Sequence, residues 1–357
     1  MIKGSLPSFQ QRLLRWYRLK TTRKNLPWRG TKDPYAIWIS EMMLQQTQVN
    51  TVIPYYHRFL KKFPTVKRLA QAPDTAVLDA WSGLGYYSRA RNLHAMAREV
   101  TAHYGGKIPD TVEGLRQLPG IGRYSAGAIA SIAYDRPAAV VDGNVIRVFC
   151  RYFGITRNPR ETSVIKQLWD LADRHVPQRN AGDYNQALMD LGSTLCTPRQ
   201  PDCPHCPIAD DCIARIKGWQ EKIPPSKKPA GRKTIRYLCG ILEKNGSVLV
   251  ARRPMENLLP GLWEFPGGVL LENTEKQASL RQLLQEKLGI RVTGLTPAGT
   301  QRQVLSHRDL EIEAFRCTAK NPTVRLNGYL QTRWVEIDQL QKLPLTAGMK
   351  KLALKLF

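Results

Sequence analysis

Apolar residues between positions 8 and about 216 recur at helical spacing and predict a mostly helical region. Within it, Asp33 is suited to a helix N-cap, and Pro34 fits the first turn, where a missing N–H needs no partner. The run DPYAIWISEMMLQQT that follows has the apolar spacing of a buried helix. That helix would place Glu41 among apolar side chains.

The pattern changes after the stretch PPSKKPAGRKT (224–234), which is basic, proline-rich and without apolar periodicity, as is typical of a linker. Short apolar runs then predict strands, and Asn245-Gly246 between two of them predicts a hairpin. A helical run at 275–288 and a final amphipathic helix complete an α+β pattern. We therefore predict a multidomain chain with an all-α domain (1–225), a linker (226–232) and an α+β domain (233–357).

The net charge of the chain indicates which class of partner it binds. The 357 residues include 54 Lys and Arg against 29 Asp and Glu, a formal net charge of +25. Such an excess favours binding to nucleic acid, although ribosomal, membrane-surface and heparin-binding proteins share it. No run of about 18 apolar residues is present, and the N-terminus lacks the apolar core of a signal peptide. We expect a cytoplasmic protein (nucleoid-associated in a bacterium, nuclear in a cell with a nucleus) that does not engage a membrane.

The segment LPGIGRYSAGAIASIAYDRPAAVVDGN (118–144) is the most informative stretch of the chain. Gly120 and Gly122 permit a tight loop, and the helix that follows would begin with free N–H groups that can bind a phosphate. Asp142 stands where an apolar run ends at Gly143, so its carboxylate would emerge at a turn. A generic helix–loop–helix with a surface aspartate is the alternative, but the whole string resembles the helix-hairpin-helix motif of DNA glycosylases.

Four of the seven cysteines lie close together with the spacing C-x6-C-x2-C-x5-C. Without a secretion signal, such clustering indicates a metal site rather than disulfides. Four thiolates can hold tetrahedral zinc or an iron–sulfur cluster, and the spacing alone slightly favours zinc because it differs from ferredoxin patterns. The candidate ligands are Cys196, Cys203, Cys206 and Cys212.

Glu41 and Asp142 form a candidate acid pair. Burial disfavours the charged form of a carboxyl, so Glu41 would keep a proton towards neutral pH and could act as a general acid. Cleavage of a glycosidic bond uses one carboxyl to protonate the leaving group and another to stabilise an oxocarbenium-like centre. The alternative for Glu41 is a structural carboxyl satisfied by hydrogen bonds.

The strings LPWR, SEMMLQQTQV, GLGYYSRARNL, LPGIGRYSAGAIAS and VVDGNVIRV, together with the four cysteines, resemble the adenine glycosylases of the endonuclease III superfamily. The resemblance covers nearly the whole chain. It implies removal of adenine paired with 8-oxoguanine or guanine from double-stranded DNA, by a protein that we expect to be a monomer. It also implies that Glu41 protonates adenine at N7, that Asp142 stabilises charge at the sugar, and that the cysteines hold a [4Fe–4S] cluster.

Further roles follow from the same resemblance. Lyase relatives carry a nucleophilic lysine where this chain has Tyr124, and a phenol cannot form an imine, so the enzyme is expected to be monofunctional. Tyr124 and Asn144 would position Asp142 and the sugar, while Arg29 and Gln186 would contact the extruded adenine. The expected DNA and 8-oxoguanine contacts are Gln46, Thr47, Leu84, Tyr86, Gly120, Gly122, Ser306 and His307.

The tail resembles a Nudix domain that has lost its chemistry. Residues 268–290 span the length of a Nudix box, but Thr274 replaces its first glutamate and Lys287 its last. One remaining carboxylate is a poor Mg²⁺ site, so the domain is expected to keep its fold and to recognise a base. Leu305 stands where the family has a phenylalanine, which weakens a stacking role beside Ser306.

Three other functions compete with this interpretation. An endonuclease III-like glycosylase/lyase acting on damaged pyrimidines is disfavoured by Tyr124 and by the tail. A Nudix hydrolase of oxidised nucleotides is disfavoured by the altered box, and a DNA-binding module without catalysis by the pair of Glu41 and Asp142.

Overall fold

A computed structural model describes the protein over residues 6–19, 25–225, 233–255, 259–305, 308–319 and 324–357. Ser306 and His307 therefore lie outside the described residues. The chain divides into two units, one made of residues 1–80 with 88–228 and the other of 81–87 with 229–357. Within the described residues, no helix is long and apolar enough to cross a membrane.

The described part of the first unit is helical, which confirms the predicted all-α class. Short loops join most of the helices, so successive helices can pack against one another. Its helices are α1 (Leu6–Leu19), α2 (Pro34–Leu44), α3 (Val49–Lys62), α4 (Val66–Ala70), α5 (Asp74–Trp81), α6 (Ser88–His103), α7 (Val112–Arg116), α8 (Arg123–Tyr134), α9 (Gly143–Phe153), α10 (Thr162–His175), α11 (Ala181–Thr194) and α12 (Ile213–Ile216).

Helix α2 lies at the centre of this unit. The Asp33 side chain caps it as predicted, accepting a hydrogen bond from the Tyr35 backbone N–H at 3.0 Å. Residues 35–43 are all buried, and Trp38 and Ile39 are 0% exposed. A helix buried all round has no solvated face for a charge, so Glu41 is necessarily buried with its neighbours.

Close helix packing depends on glycines. Gly120 adopts φ +77° in the loop before α8, whereas Gly122 caps α8 with φ −86° and does not use the left-handed region. A Cβ on Gly127 would lie 2.1 Å from the Ala139 carbonyl oxygen, and one on Gly192 would lie 2.6 Å from the Asn144 Cβ. These bare positions let α8 and α11 approach the segment that carries Asp142.

The second unit is a mixed sheet with helices, as the α+β pattern predicts. Its sheet order is β3-β2-β1-β6-β5, with β4 paired to β1 and β7 to β2, and β1 and β6 are parallel. The Asn245-Gly246 turn joins β1 to β2 with φ 48° and 73°, confirming the hairpin. The elements are β1 (Lys233–Lys244), β2 (Ser247–Arg252), β3 (Trp263–Glu264), β4 (Gly267–Val269), α13 (Lys276–Leu288), β5 (Thr293–Val304), β6 (Arg308–Thr318), β7 (Gln331–Glu336), a 3-10 helix (Ile337–Lys342) and α14 (Ala347–Leu356).

Alternation along β1 builds two cores in this unit. Tyr237, Cys239 and Ile241 pack in one hydrophobic cluster with residues of α14. Leu238 and Leu242 point into a second cluster with residues of α13. Because successive strand residues face opposite sides, the two helices cover the two faces of the sheet.

Candidate active site

A cavity of 590 Å³ opens in the first unit between α2, α8, α11 and the start of α9. Its volume is within the usual range for a small-molecule or base pocket. It brings together residues from five separate segments of the sequence. The predicted site residues in its wall are Arg29, Glu41, Gln46, Thr47, Tyr124, Asp142, Asn144 and Gln186.

Glu41 is the buried acid of this cavity. It is 7% exposed, and its Oε2 accepts a hydrogen bond from the Tyr124 hydroxyl at 2.9 Å. Burial raises the pKa of Glu41; the Tyr124 hydrogen bond and the charge of Arg29 oppose that rise, and Asp142 adds to it. The pKa is raised on balance, so the carboxyl retains a proton to higher pH than a solvated glutamate, as a general acid requires.

The Asp142 carboxyl accepts hydrogen bonds at the N-terminus of α9. Its Oδ1 accepts from the Val145 backbone N–H at 2.7 Å, and its Oδ2 from Asn144 Nδ2 at 3.0 Å. Burial raises the pKa of Asp142 on balance, and these two hydrogen bonds limit that rise. A helix N-terminus also favours negative charge. Asp142 thus accepts a backbone N–H and an amide N–H, whereas Glu41 accepts the hydroxyl of Tyr124.

Asn144 is itself held by Arg147, a residue that the sequence analysis missed. Arg147 Nη2 donates to Asn144 Oδ1 at 2.9 Å, and its Nε donates to the Cys196 carbonyl at 2.7 Å. Hydrogen bonds therefore run from Asp142 to the first cysteine of the cluster loop. Arg147 lies in the string VVDGNVIRV, one turn beyond Asn144, and that helical spacing was the available signal.

Arg29 and Gln186 meet in the cavity wall as predicted, with a third partner. Arg29 Nη1 donates to Gln186 Oε1, and Nη2 donates to Asp190 Oδ1 at 2.7 Å. The Arg29 and Asp190 side chains are only 10% and 7% exposed, so this ion pair is buried. Asp190 follows Gln186 by four residues on α11, and this spacing would have placed both on one helix face.

The predicted DNA contacts have different exposures. Gln46 is exposed and Thr47 half-buried at the end of α2, and Gln46 has φ +55°. Tyr86 is 41% exposed with φ +47°, whereas Leu84 is 6% exposed. Leu84 in this conformation offers little surface to DNA. Gly120 and Gly122 are both exposed at the loop before α8.

The four clustered cysteines line one small cavity, and none of them forms a disulfide. Arg151, 3% exposed, donates to Cys196 Sγ at 3.3 Å and to the Thr197 carbonyl at 2.7 Å. Burial raises the pKa of Cys206 to about 12, and the neighbouring thiols contribute. Among the described residues, no three His, Cys, Asp or Glu side chains converge closely enough to hold a metal ion. Four sulfurs around one cavity nevertheless form the donor set that an iron–sulfur cluster uses.

In the second unit, the Lys287 ammonium stands at a position where a Nudix box has a carboxylate that can bind a metal cation. Lys287 Nζ donates to the Gly267 carbonyl at 2.7 Å. Burial lowers the pKa of Lys287, and the charge of Glu264 opposes this. Glu264, 2% exposed, accepts from the Tyr237 and Tyr329 hydroxyls at 2.6 and 3.0 Å. The Glu264 carboxylate, which precedes the altered box, thus has internal hydrogen-bond partners.

Each of the two units matches a known protein family. Residues 39–174 match the family model of the HhH-GPD superfamily of base excision DNA repair proteins, and residues 237–355 match a NUDIX domain. A solved thermostable thymine-DNA glycosylase is 32% identical, with a TM-score of 0.53, over 59% of this chain and 97% of that one. The helical unit is therefore a helix-hairpin-helix base excision repair domain.

Full-length relatives define the family further. The adenine DNA glycosylase of Rattus norvegicus is 37% identical over 98% of this chain and 78% of its own length. That of Buchnera aphidicola subsp. Baizongia pistaciae is 33% identical over 98% and 96%. The chain belongs to the adenine DNA glycosylase family. The predicted fold class and enzyme class are thereby confirmed.

Proposed function

We propose that this enzyme hydrolyses the N-glycosidic bond of adenine paired with 8-oxoguanine, or with guanine, in double-stranded DNA, and that it does so without cutting the strand. The observation that carries the proposal is the meeting of Glu41 and Asp142 in one cavity with different hydrogen-bond environments. One carboxyl is suited to hold a proton and the other to hold a negative charge, which is the division that glycosidic cleavage requires.

In the proposed reaction the extruded adenine occupies the cavity and Glu41 protonates it at N7, which makes the base a better leaving group. General acid catalysis of this kind is typically worth about 10²–10⁴-fold. Asp142 stabilises the positive charge that develops at the sugar and assists the attacking water. Asn144 orients Asp142 through the 3.0 Å hydrogen bond.

Arg29 and Gln186 are proposed to bind the adenine. Because a guanidinium only donates, Gln186 turns its oxygen to Arg29, and its amide nitrogen can donate to a ring nitrogen of the base. Asp190 keeps the Arg29 charge paired inside the protein. A buried cation without its partner would be strongly unfavourable, so Asp190 supports this side of the cavity.

Monofunctional chemistry is supported by the composition of the cavity wall. Tyr124 stands at the position of the lyase lysine, and burial raises its pKa well above the ordinary tyrosine value. No lysine is present among the described residues that line the cavity. The described lining residues therefore offer no amine that could form an imine with the abasic sugar.

We further propose that Cys196, Cys203, Cys206 and Cys212 hold a [4Fe–4S] cluster that orders the DNA-binding loop. Purified protein should be yellow-brown with about four irons per chain. A colourless, active protein with one zinc would support the alternative that the spacing leaves open. We propose a helical catalytic domain over 1–225, a linker over 226–232 and an 8-oxoguanine-reading domain over 233–357 that uses Ser306 and His307, in a cytoplasmic monomer.

The proposed activity is tested with a duplex that carries adenine opposite 8-oxoguanine, using matched duplexes with guanine or thymine opposite adenine as comparison. Free adenine should appear, and strand breaks should require subsequent alkali. Borohydride should trap little covalent complex with the native enzyme and more with Tyr124→Lys. Release of damaged pyrimidines instead of adenine, or efficient trapping by the native enzyme, would refute the proposal.

A further inference from the structure

Arg89, in the first turn of α6, is a buried cation outside the catalytic cavity. It is 6% exposed. Its Nη1 donates to the carbonyl oxygens of Met42 and Met43, each at 2.9 Å, and of Gln45 at 2.5 Å. Its Nη2 donates to Thr47 Oγ1 at 3.1 Å. One guanidinium thus binds both the end of α2 and the turn that follows it.

Arg89 supplies hydrogen-bond donors at the C-terminal end of helix α2. The last carbonyls of a helix have no partner within it, and α2 has no basic residue in its last turn. The chain leaves the helix at Gln45 and enters the left-handed region at Gln46, with φ +55°. A non-glycine residue keeps such a φ only where its surroundings impose it. Arg89 supplies that constraint by binding the peptide oxygens before Gln46 and the side chain after it.

The contact also requires arginine. The planar fork of a guanidinium holds its two terminal nitrogens in fixed directions, so the three carbonyls share the two N–H groups of Nη1 while Nη2 donates to Thr47. A lysine ammonium carries the same charge but is a single point at the end of a flexible stem. Arg89→Lys therefore keeps the charge near α2 and loses part of the clamp.

We propose that Arg89 is a positioning residue for the opening of the DNA duplex. It holds the turn of Gln46 and Thr47 in the shape in which the exposed Gln46 side chain enters the base stack. This rests on the proposed function, in which Gln46 helps to displace the adenine.

The test uses Arg89→Lys with Arg98→Lys as the matched control. Arg98 lies on the same helix, but its side chain is 54% exposed and pairs with Asp74. Single-turnover adenine release is measured per active site with saturating enzyme. Opening is followed by the fluorescence of 2-aminopurine placed beside the target adenine, which rises when its neighbour leaves the stack.

We expect Arg89→Lys to lower the rate from adenine opposite 8-oxoguanine by roughly tenfold, the loss of one or two hydrogen bonds. The fluorescence rise should become slower or smaller, and the pH dependence of the rate should stay unchanged because Glu41 is untouched. A duplex with mismatched pairs on both sides of the adenine should restore the rate to within about threefold of the native rate on that duplex, since little opening remains to be done. Arg98→Lys should resemble the native enzyme throughout.

A purely structural role for Arg89 gives a different result. It would lower the fraction of active protein or the unfolding temperature, with native rate and fluorescence per active site, and that result overturns the proposal. An equal rate loss on the flanking-mismatch duplex overturns it as well. Should Arg89→Lys fail to fold, Thr47→Val removes one accepting atom at nearly constant shape and should produce a smaller loss of the same kind. If the native enzyme itself releases no adenine, the proposed function fails instead.

Discussion

Replacing Tyr124 with Phe removes one hydrogen bond from the proposed general acid. The Tyr124 hydroxyl donates to Glu41 Oε2 at 2.9 Å, and this bond lowers the pKa of Glu41 against the larger effect of burial. Tyr124→Phe should therefore raise the pKa of Glu41 further. The acid should stay protonated to higher pH but should give up its proton less readily.

The size of the effect follows from the strength of the bond. A hydrogen bond to a charged group contributes about 1.5–3 kcal/mol, and 1.36 kcal/mol corresponds to a factor of ten in a protonation equilibrium. Loss of the bond should therefore change the ratio of protonated to ionised Glu41 at least about tenfold. Water in the cavity can replace part of the bond, so we expect the lower end of this range.

The assay is single-turnover adenine release measured as a function of pH. For the native enzyme the rate should fall on the alkaline side as Glu41 ionises. For Tyr124→Phe the plateau should be lower, and the alkaline fall should begin at higher pH. At the pH where the native rate has dropped tenfold, the variant should retain about half of its own plateau rate.

Tyr134→Phe is the matched control. Tyr134 lies at the end of the same helix, α8, and its hydroxyl donates to the Ile108 carbonyl at 2.7 Å, outside the catalytic cavity. Its pH profile should match that of the native enzyme. An alkaline limb that stays in place or moves to lower pH in Tyr124→Phe would show that the hydroxyl does not stabilise ionised Glu41, and our reasoning would be wrong.

Three further predictions concern the same site and the second unit. Glu41→Gln should reduce adenine release by about 10²–10⁴-fold. Because the pKa of Glu41 is raised in the folded state, the native protein loses stability as the pH rises above the pKa of Glu41 in the unfolded chain. Glu41→Gln should therefore unfold at a higher temperature than the native protein near pH 7. Calorimetry should show that this difference vanishes below about pH 4. Arg147→Met should slow single-turnover adenine release at least about tenfold with native DNA affinity, because Asn144 loses one of its two hydrogen-bond partners. A native rate would show that Arg147 does not position Asn144. Deletion of 233–357 should preserve excision but erode the preference for 8-oxoguanine over guanine opposite adenine, and Ser306→Ala with His307→Ala should reproduce that loss; an unchanged preference ratio in both would leave the domain as a general DNA clamp.

The sequence was sufficient for the architecture and for the main chemical groups. Helix α2, the hairpin at Asn245-Gly246 and the helix ending at Leu288 were predictable because apolar periodicity and turn residues act locally. The cavity then brought Glu41 and Asp142 together, although 101 positions separate them (142 minus 41). Only the shared resemblance of their two motifs to one family predicted that meeting.

The partners that set the properties of these groups were not predictable from the sequence. Asp190 and Arg147 look like ordinary surface charges in a helical pattern, and Arg89 looks like one of several arginines at the start of α6. Asp190 acquires its role from a distant donor, Arg29, which lies 161 positions away, and Arg89 acquires its role from acceptor carbonyls 44–47 positions earlier. A periodic pattern reports which face a residue occupies, and it does not report which polar atom lies opposite that face in the fold.

The charge of Asp142 favours the protonated form of Glu41, so the two proposed roles are consistent with each other. Ionised Asp142 raises the pKa of Glu41, and no bond that Asp142 accepts depends on Glu41. When one of the pair ionises, the backbone donor at the start of α9 and the Asn144 amide make Asp142 the favoured anion, and its charge then keeps the proton on Glu41. A base that fills the cavity excludes water and strengthens this coupling, because the interaction between charges grows as the local dielectric falls. The binding of adenine should therefore drive the pair towards the one protonation state that the proposed mechanism requires.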